Sequence, residues 1–208
     1  MGSEGRRAAR VIQERSISTR AALLEGAARV FSRMTYAEAR LKDVSDEAGV
    51  SQGSLYFHFG NKADIAGAVL QVQQERMTSV LAEVRGRAEK GLDVLLSLID
   101  NLAVMVAADV VVQAGIKLGM QPGTGLELEA KGPYFEWIEI AADLIRQGVE
   151  DRSISPAVDV NSAAEYLNVV FVGSQVLSEL QDSWQSFPDR VQRMRPHIIA
   201  VLGGDSAG

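Results

Sequence analysis

Gln52, Ser54, Tyr56 and His58 stand at alternate positions of one short stretch, SQGSLYFHFGNK, residues 51–62. An amide, two hydroxyls and an imidazole suit the edges and backbone of a nucleic-acid duplex. A glutamine amide can read adenine, while Ser and Tyr hydroxyls go most often to phosphates. Gly53 would let the backbone approach closely, because it has no Cβ. His58 fits a phosphate contact and fits a structural place at a helix end equally well. The rest of the chain offers no competing chemistry. Its two histidines, His58 and His197, are far apart in sequence, and there is no cysteine. No Gly-x-Ser-x-Gly, phosphate loop or metal-ligand spacing occurs. Pairs such as Glu127 with Glu129, or Glu136 with Glu139, read as solvated faces. The sequence therefore predicts no catalytic residue, no metal site, no cofactor and no enzyme activity.

The polar residues need elements to present them. Leu41, Val44 and Ala48 fall on one face at spacings of three and four, which predicts a helix over 42–48. Gly49 ends it, since glycine takes the left-handed conformation without a Cβ clash. Val50 fills the angle, and Ser51 is a good N-cap for a second helix over 52–58. That helix carries Leu55 and Phe59 inward, and Phe57 also reads as core. Two helices joined by a glycine turn, with a polar outer face, describe a helix-turn-helix. A purely structural αα-corner has the same periodicity. If the second helix enters a major groove, its N-terminal residues meet base edges. A preceding helix opens at Ser18 or Thr19 and ends near Met34; its stripe of Ala21, Leu24, Ala28 and Phe31 would brace the pair. Asn61 caps the following helix, where Lys62 in the first turn would grip a phosphate together with the helix N-terminus. The predicted DNA-contacting set is Arg40, Lys42, Ser51, Gln52, Gly53, Ser54, Tyr56, His58 and Lys62.

The formal net charge of −6 at first argues against a nucleic-acid partner, but the charge is unevenly placed. Residues 1–70 hold ten Lys/Arg and eight Asp/Glu, and residues 71–208 hold eleven and nineteen. A basic head on an acidic body gives this asymmetry. Residues 1–15 have weak periodicity and read as a mobile basic arm, able to add phosphate contacts or simply solvated.

Beyond the head, apolar periodicity predicts helices over 62–85, 92–108 and 109–118. A Gly- and Pro-rich loop over 119–133 follows. Pro133 then opens a helix over 134–150, and two more span 159–180 and 189–202. Ala163, Leu167, Val170, Ser174 and Leu177, then Val191, Met194, Ile198 and Val201, are the predicted buried faces of the last two. No strand pattern or internal repeat is found. The predicted fold is all-α: a helix-turn-helix DNA-binding domain of three helices at 16–62, and a ligand-binding and dimerisation domain of about six helices at 63–208. The longest apolar run, 102–112, is broken by Asp109 and is shorter than the roughly 20 residues a bilayer requires. The N-terminus lacks the apolar core of a signal peptide. The expectation is a cytoplasmic protein with no membrane partner.

The stretch AGVSQGSLYFHFGNKADI, residues 48–65, closely resembles the signature of the TetR family of transcriptional repressors. The resemblance runs upstream through Thr19, Arg20, Leu24, Ala27, Ala28, Phe31 and Tyr36. It departs at Thr35, where the family usually has Gly, and at Ala39 and Arg40, where it tends to have a Thr; Arg40 would supply a charged phosphate contact in its place. The resemblance implies a homodimer, formed through the last two helices, on a palindromic double-stranded operator. The body resembles the γ-butyrolactone receptor branch of actinomycetes at YFEWIEIA (134–141), at Asp159-Val160 and at Val172-Gly173-Ser174. That likeness implies that Trp137 lines a pocket for a small effector and that Gln73 lies nearby; a core aromatic is the plainer role for Trp137. Gln113, Tyr134 and Ser174 are further polar candidates, because such pockets are apolar with a few polar groups. Met105, Val110, Phe171 and Val172 are placed in the wall by helix face alone. The function implied is a repressor released from its operator by a γ-butyrolactone, butenolide or furan. The alternatives are a repressor sensing an antibiotic, a drug or an acyl compound, and a pseudo-receptor that binds no lactone.

Overall fold

The computed structural model describes residues 3–88, 90–121 and 127–203, excepting the side chains of 3–9, 11, 12, 127–131, 133 and 134. Among the described residues the secondary structure is nine helices and no strand, in agreement with the all-α expectation. They are α1 (Ser3–Arg33), α2 (Leu41–Ala48), α3 (Gln52–His58), α4 (Lys62–Arg85), α5 (Gly91–Ala108), α6 (Val110–Met120), α7 (Glu127–Glu150), α8 (Val160–Asp182) and α9 (Phe187–Leu202). The chain divides into two compact units, Met1–Gln73 with Val110–Ala130 and Gln74–Asp109 with Lys131–Gly208. The division expected at 62/63 thus falls inside α4. The cause is apolar: Val69 and Leu70 of α4 and Val111, Ala114 and Leu118 of α6 share one core with Leu23, Ala27 and Phe31 of α1.

In the first unit α1 starts at Ser3, so residues 3–15 are an N-terminal extension of the helix rather than a mobile arm. Ala and Arg are strong helix formers, and an exposed Arg10–Glu14 pair at 2.8 Å adds i,i+4 support. α2 opens on Arg40, whose backbone N–H donates to Asp43 Oδ2 at 2.9 Å. It closes on Gly49 at φ 67°, a conformation that costs a Cβ-bearing residue about 1 kcal/mol or more. α3 opens on Ser51, whose Oγ accepts the Ser54 N–H at 3.1 Å. Val44, Leu55 and Phe59 are buried as expected. Phe57 is not: it is 81% exposed and lies edge-to-face with His58, with ring centroids 5.2 Å apart. Helical geometry explains the difference, because Leu55 and Phe59 share a face and residue 57 lies between them on the opposite side. α6 and the residue after it hold the end of α1 and the segment that follows it. Lys117 Nζ donates to the Ser32 carbonyl at 2.8 Å, and Gln121 Oε1 accepts the Tyr36 N–H at 2.6 Å.

In the second unit α5 is the central helix. At 18 residues and a mean hydropathy of 1.8 it is long and apolar enough, by length and composition alone, to cross a bilayer. Here it is a core helix, with Val94, Leu95, Leu98, Leu102 and Val106 buried and Asp100 paired with Arg195 of α9 at 2.6 Å. Asp109, read from sequence as the cap of α6, stands directly before that helix and also closes α5: its N–H donates to the Met105 carbonyl at 2.9 Å, and its carboxylate accepts from Arg76. α7 starts at Glu127, so Pro133 lies within the helix rather than at its first position. Asp159 caps α8 by accepting the Ser162 N–H at 3.0 Å. Leu177 and Val201, expected inside, are 54% and 42% exposed.

Candidate functional site

The first unit presents a polar groove of about 550 Å³ between the segment 37–42 and α3. Arg40, Lys42, Gln52, Tyr56 and Lys62 line it, together with Glu38 and Leu41. Five of the nine predicted contact residues are therefore brought to one concavity by the turn at Gly49. Gln52 and Tyr56, one helical turn apart, are both exposed. Gly53 is exposed beside them, and a Cβ built there would meet nothing closer than Ser51 Oγ at 3.9 Å. The fold itself thus has no need of glycine at 53. Ser51 and Ser54 are engaged in capping α3, and His58 is half-buried against Phe57.

The charges of this face are not all alike. Arg40 has an exposed side chain. Lys42 pairs with Asp46, a hydrogen bond that raises its pKa above the ordinary lysine value. Lys62, expected to grip a phosphate, lines the groove and is also bound within the chain. Its ammonium donates to the carbonyls of Tyr36 at 2.7 Å and Ala39 at 2.9 Å, and it lies 4.4 Å from the centroid of the Tyr36 ring. It anchors the segment that forms one wall of the groove. Thr35, where the family has Gly, binds that segment too. Its N–H and hydroxyl donate to Glu38 Oε2 at 3.1 and 2.7 Å, and these bonds hold the Glu38 carboxyl below its ordinary range. Behind the groove, Arg29 and Arg33 of α1 grip Glu47 of α2 at 3.1 and 2.5 Å. Arg20 lies 5.3 Å from the centroid of Phe59. Phe57 is the surface residue that the sequence reading missed; its place opposite Leu55 on the helical wheel was the available signal.

The second unit contains an apolar cavity of about 80 Å³. Its wall takes Met77 from α4, Leu95, Leu98, Ile99 and Leu102 from α5, Trp137 and Ala141 from α7, and Leu167, Asn168, Phe171, Val172 and Gln175 from α8. Of the predicted pocket residues, Trp137 and Phe171 line it, as does Val172. The others do not. Gln73 packs over α6, where a Cβ on Gly115 would fall 2.7 Å from its Cβ. Val110 and Gln113 belong, like Gln73, to the first unit. Met105 lies on α5 outside the lining. Ser174 borders a separate space of about 10 Å³ with Val191 and Ile198, and its carbonyl accepts the Ser178 hydroxyl at 2.8 Å. The Tyr134 side chain lies outside the described residues. The sequence reading missed the α5 wall and the two amides, Asn168 and Gln175. Their spacing of seven on the apolar face of α8 places them two turns apart on one side, a signal that was present.

Among the described residues no acidic or basic side chain lines the cavity. An ionised ligand would lose its hydration there with nothing to replace it. Among the described residues no cluster of metal-binding side chains occurs.

Two family models match the chain: that for bacterial regulatory proteins of the tetR family over residues 23–69, and that for the tetracyclin repressor-like C-terminal domain over 89–203. The second alone spans more than half of the sequence. The chain belongs to the TetR family. Among curated TetR-type relatives, the A-factor receptor protein of Streptomyces griseus is 28% identical over 193 residues, covering 91% of this chain and 66% of the relative. The chain thus spans just under two thirds of that protein's length. A solved γ-butyrolactone receptor, an ArpA-like protein, superposes with a TM-score of 0.77 at 30% identity over 89% of this chain and 88% of the other. The TetR family protein CprB of Streptomyces coelicolor, solved in complex with its biological operator sequence, gives a TM-score of 0.77 at 28% identity, covering 93% and 92%.

Proposed function

We propose that this TetR-family chain is a homodimeric transcriptional repressor, acting in the cytoplasm on a palindromic operator and released by a small neutral effector of the γ-butyrolactone, butenolide or furan class. The observation that carries the reading is the apolar cavity around Trp137, in the body of a chain whose head turns Gln52 and Tyr56 outward. Similarity to a γ-butyrolactone receptor and to an operator-bound regulator supports it. A second copy suits the exposed stripe of α8, where Tyr166, Val169, Leu177 and Leu180 recur at helical spacing around the open Gly173. A two-fold pair of recognition helices about 34 Å apart reads two half-sites. The cavity, at about 80 Å³, is below the roughly 300–1,000 Å³ of ordinary ligand sites. An effector therefore has to push its walls apart. It would favour a body conformation with a wider cavity, and any difference in operator affinity between the two conformations becomes the regulatory coupling.

A gel-shift titration on the protein's own upstream region, with and without a synthetic γ-butyrolactone, tests this. The expected result is binding that the lactone abolishes, with Trp137→Ala retaining binding and losing release. Binding that persists points to another signal or to a pseudo-receptor. No binding at low salt, on this region or on palindromic DNA, removes the repressor reading.

A further inference from the structure

Gln175 is the one residue of the cavity wall that combines near-complete burial with an unanswered polar group. It is 3% exposed, it lines the cavity, and its Nε2 finds no hydrogen-bond partner among the described residues. A buried N–H donor left without an acceptor loses its hydration uncompensated, a penalty that a ligand acceptor would relieve. Asn168, two turns earlier on α8, is a second amide on the same wall, and the other ten lining residues are apolar. We propose that Gln175 is the specificity-determining donor of this cavity, pairing through Nε2 with a carbonyl oxygen of a neutral, otherwise apolar ligand.

The inference rests on the cavity being the effector site, and it narrows the effector's chemistry. The ligand carries an acceptor oxygen on one edge and hydrocarbon against Trp137, Phe171 and Leu98. Carboxylates are disfavoured, since among the described residues no cation lines the wall to answer them. Alcohols are accepted less well than carbonyls at this point, because their oxygen carries a hydrogen that also needs an acceptor.

The test is calorimetric titration of the full-length protein with three probes of similar size. They are a γ-butyrolactone bearing a butyl chain, the matching butyl cyclopentanone and the matching butyl tetrahydrofuran. The wild-type protein should bind both carbonyl probes about tenfold or more tightly than the ether. Gln175→Leu should bind all three alike, and Gln175→Met serves as a second variant of similar volume. Neither variant should melt lower than wild type by the loss of Nε2, because each removes a buried N–H donor with no partner. A structural role for Gln175 would show as a lower melting temperature with the carbonyl preference intact, and would overturn the assignment. Equal binding of all three probes to the wild type would overturn it too, leaving a merely apolar pocket. Binding of the ketone without the lactone would sustain Gln175 and remove the lactone reading. Binding of no probe would remove both.

Discussion

Lys62 Nζ sits 2.7 Å from the Tyr36 carbonyl and 4.4 Å from the centre of the Tyr36 ring, so one ammonium grips both the backbone and the face of the same residue. With its further bond to the Ala39 carbonyl, it fixes the segment from which Arg40 and Lys42 reach the groove. A charged group that looks from sequence like a DNA contact is thus also part of the frame of the groove it lines.

Lys62→Met should therefore lower stability by about 1–3 kcal/mol, the usual effect of losing charge-assisted hydrogen bonds. It should weaken operator binding without changing the slope of log K against log salt. Arg40→Ala, which removes an exposed cation of the groove, should instead lower that slope by about 0.9. A slope change of this size in Lys62→Met would return Lys62 to the phosphates.

Gly53 and Gln52 separate fold from recognition. Gly53→Ala adds a methyl where the chain has room, and alanine is favoured over glycine in a helix by about 1 kcal/mol. The variant should melt at or above the wild-type temperature and yet bind DNA more weakly. Gln52→Ala should relax preference at one base-pair position by about 1–3 kcal/mol. Equal losses on every sequence tested would remove Gln52 as a base reader.

The exposed stripe on α8 predicts a two-fold partner. Val169→Glu with Leu180→Glu places charge where Val169 is 63% and Leu180 is 79% exposed in the single chain. The folded monomer should tolerate this, whereas the dimer should dissociate in analytical ultracentrifugation. Affinity for a full palindrome should fall by about 100-fold once the two heads are no longer linked. A variant that remains dimeric would put the interface elsewhere.

Glu47 links the head to acid stability. Hydrogen bonding to Arg33, followed by the Arg33 and Arg29 charges and against the effect of burial, holds its carboxyl below the ordinary 4.5. A carboxylate with a depressed folded pKa stabilises the fold above its unfolded value, and that contribution is lost as pH falls through the folded value. Urea midpoints measured between about pH 3 and 6 should decline below about 4.5 in wild type. The decline should be shallower in Glu47→Gln. Parallel curves would show that the α1–α2 ion pairs add nothing.

The local elements of this protein and the chemistry of its outer face were legible from residue order alone. Gly49, Ser51 and the spacing of Val44, Leu55 and Phe59 specify the helix-turn-helix, because caps and periodicity act within a few residues. The same local rules located α4, α5 and α8 to within a residue or two at most of their ends. Tertiary structure decided what depends on which faces meet. It drew α6 and the first half of α4 into the head's core, turned Lys62 inward to carbonyls and Phe57 outward, and left Leu177 exposed on α8. It also assembled the cavity from four helices. Trp137 and Phe171 reach it, but Gln73 does not, since no single helical wheel records which neighbour a face will find. Gln175 was invisible for the same reason: a buried amide becomes informative only when its surroundings fail to pair it.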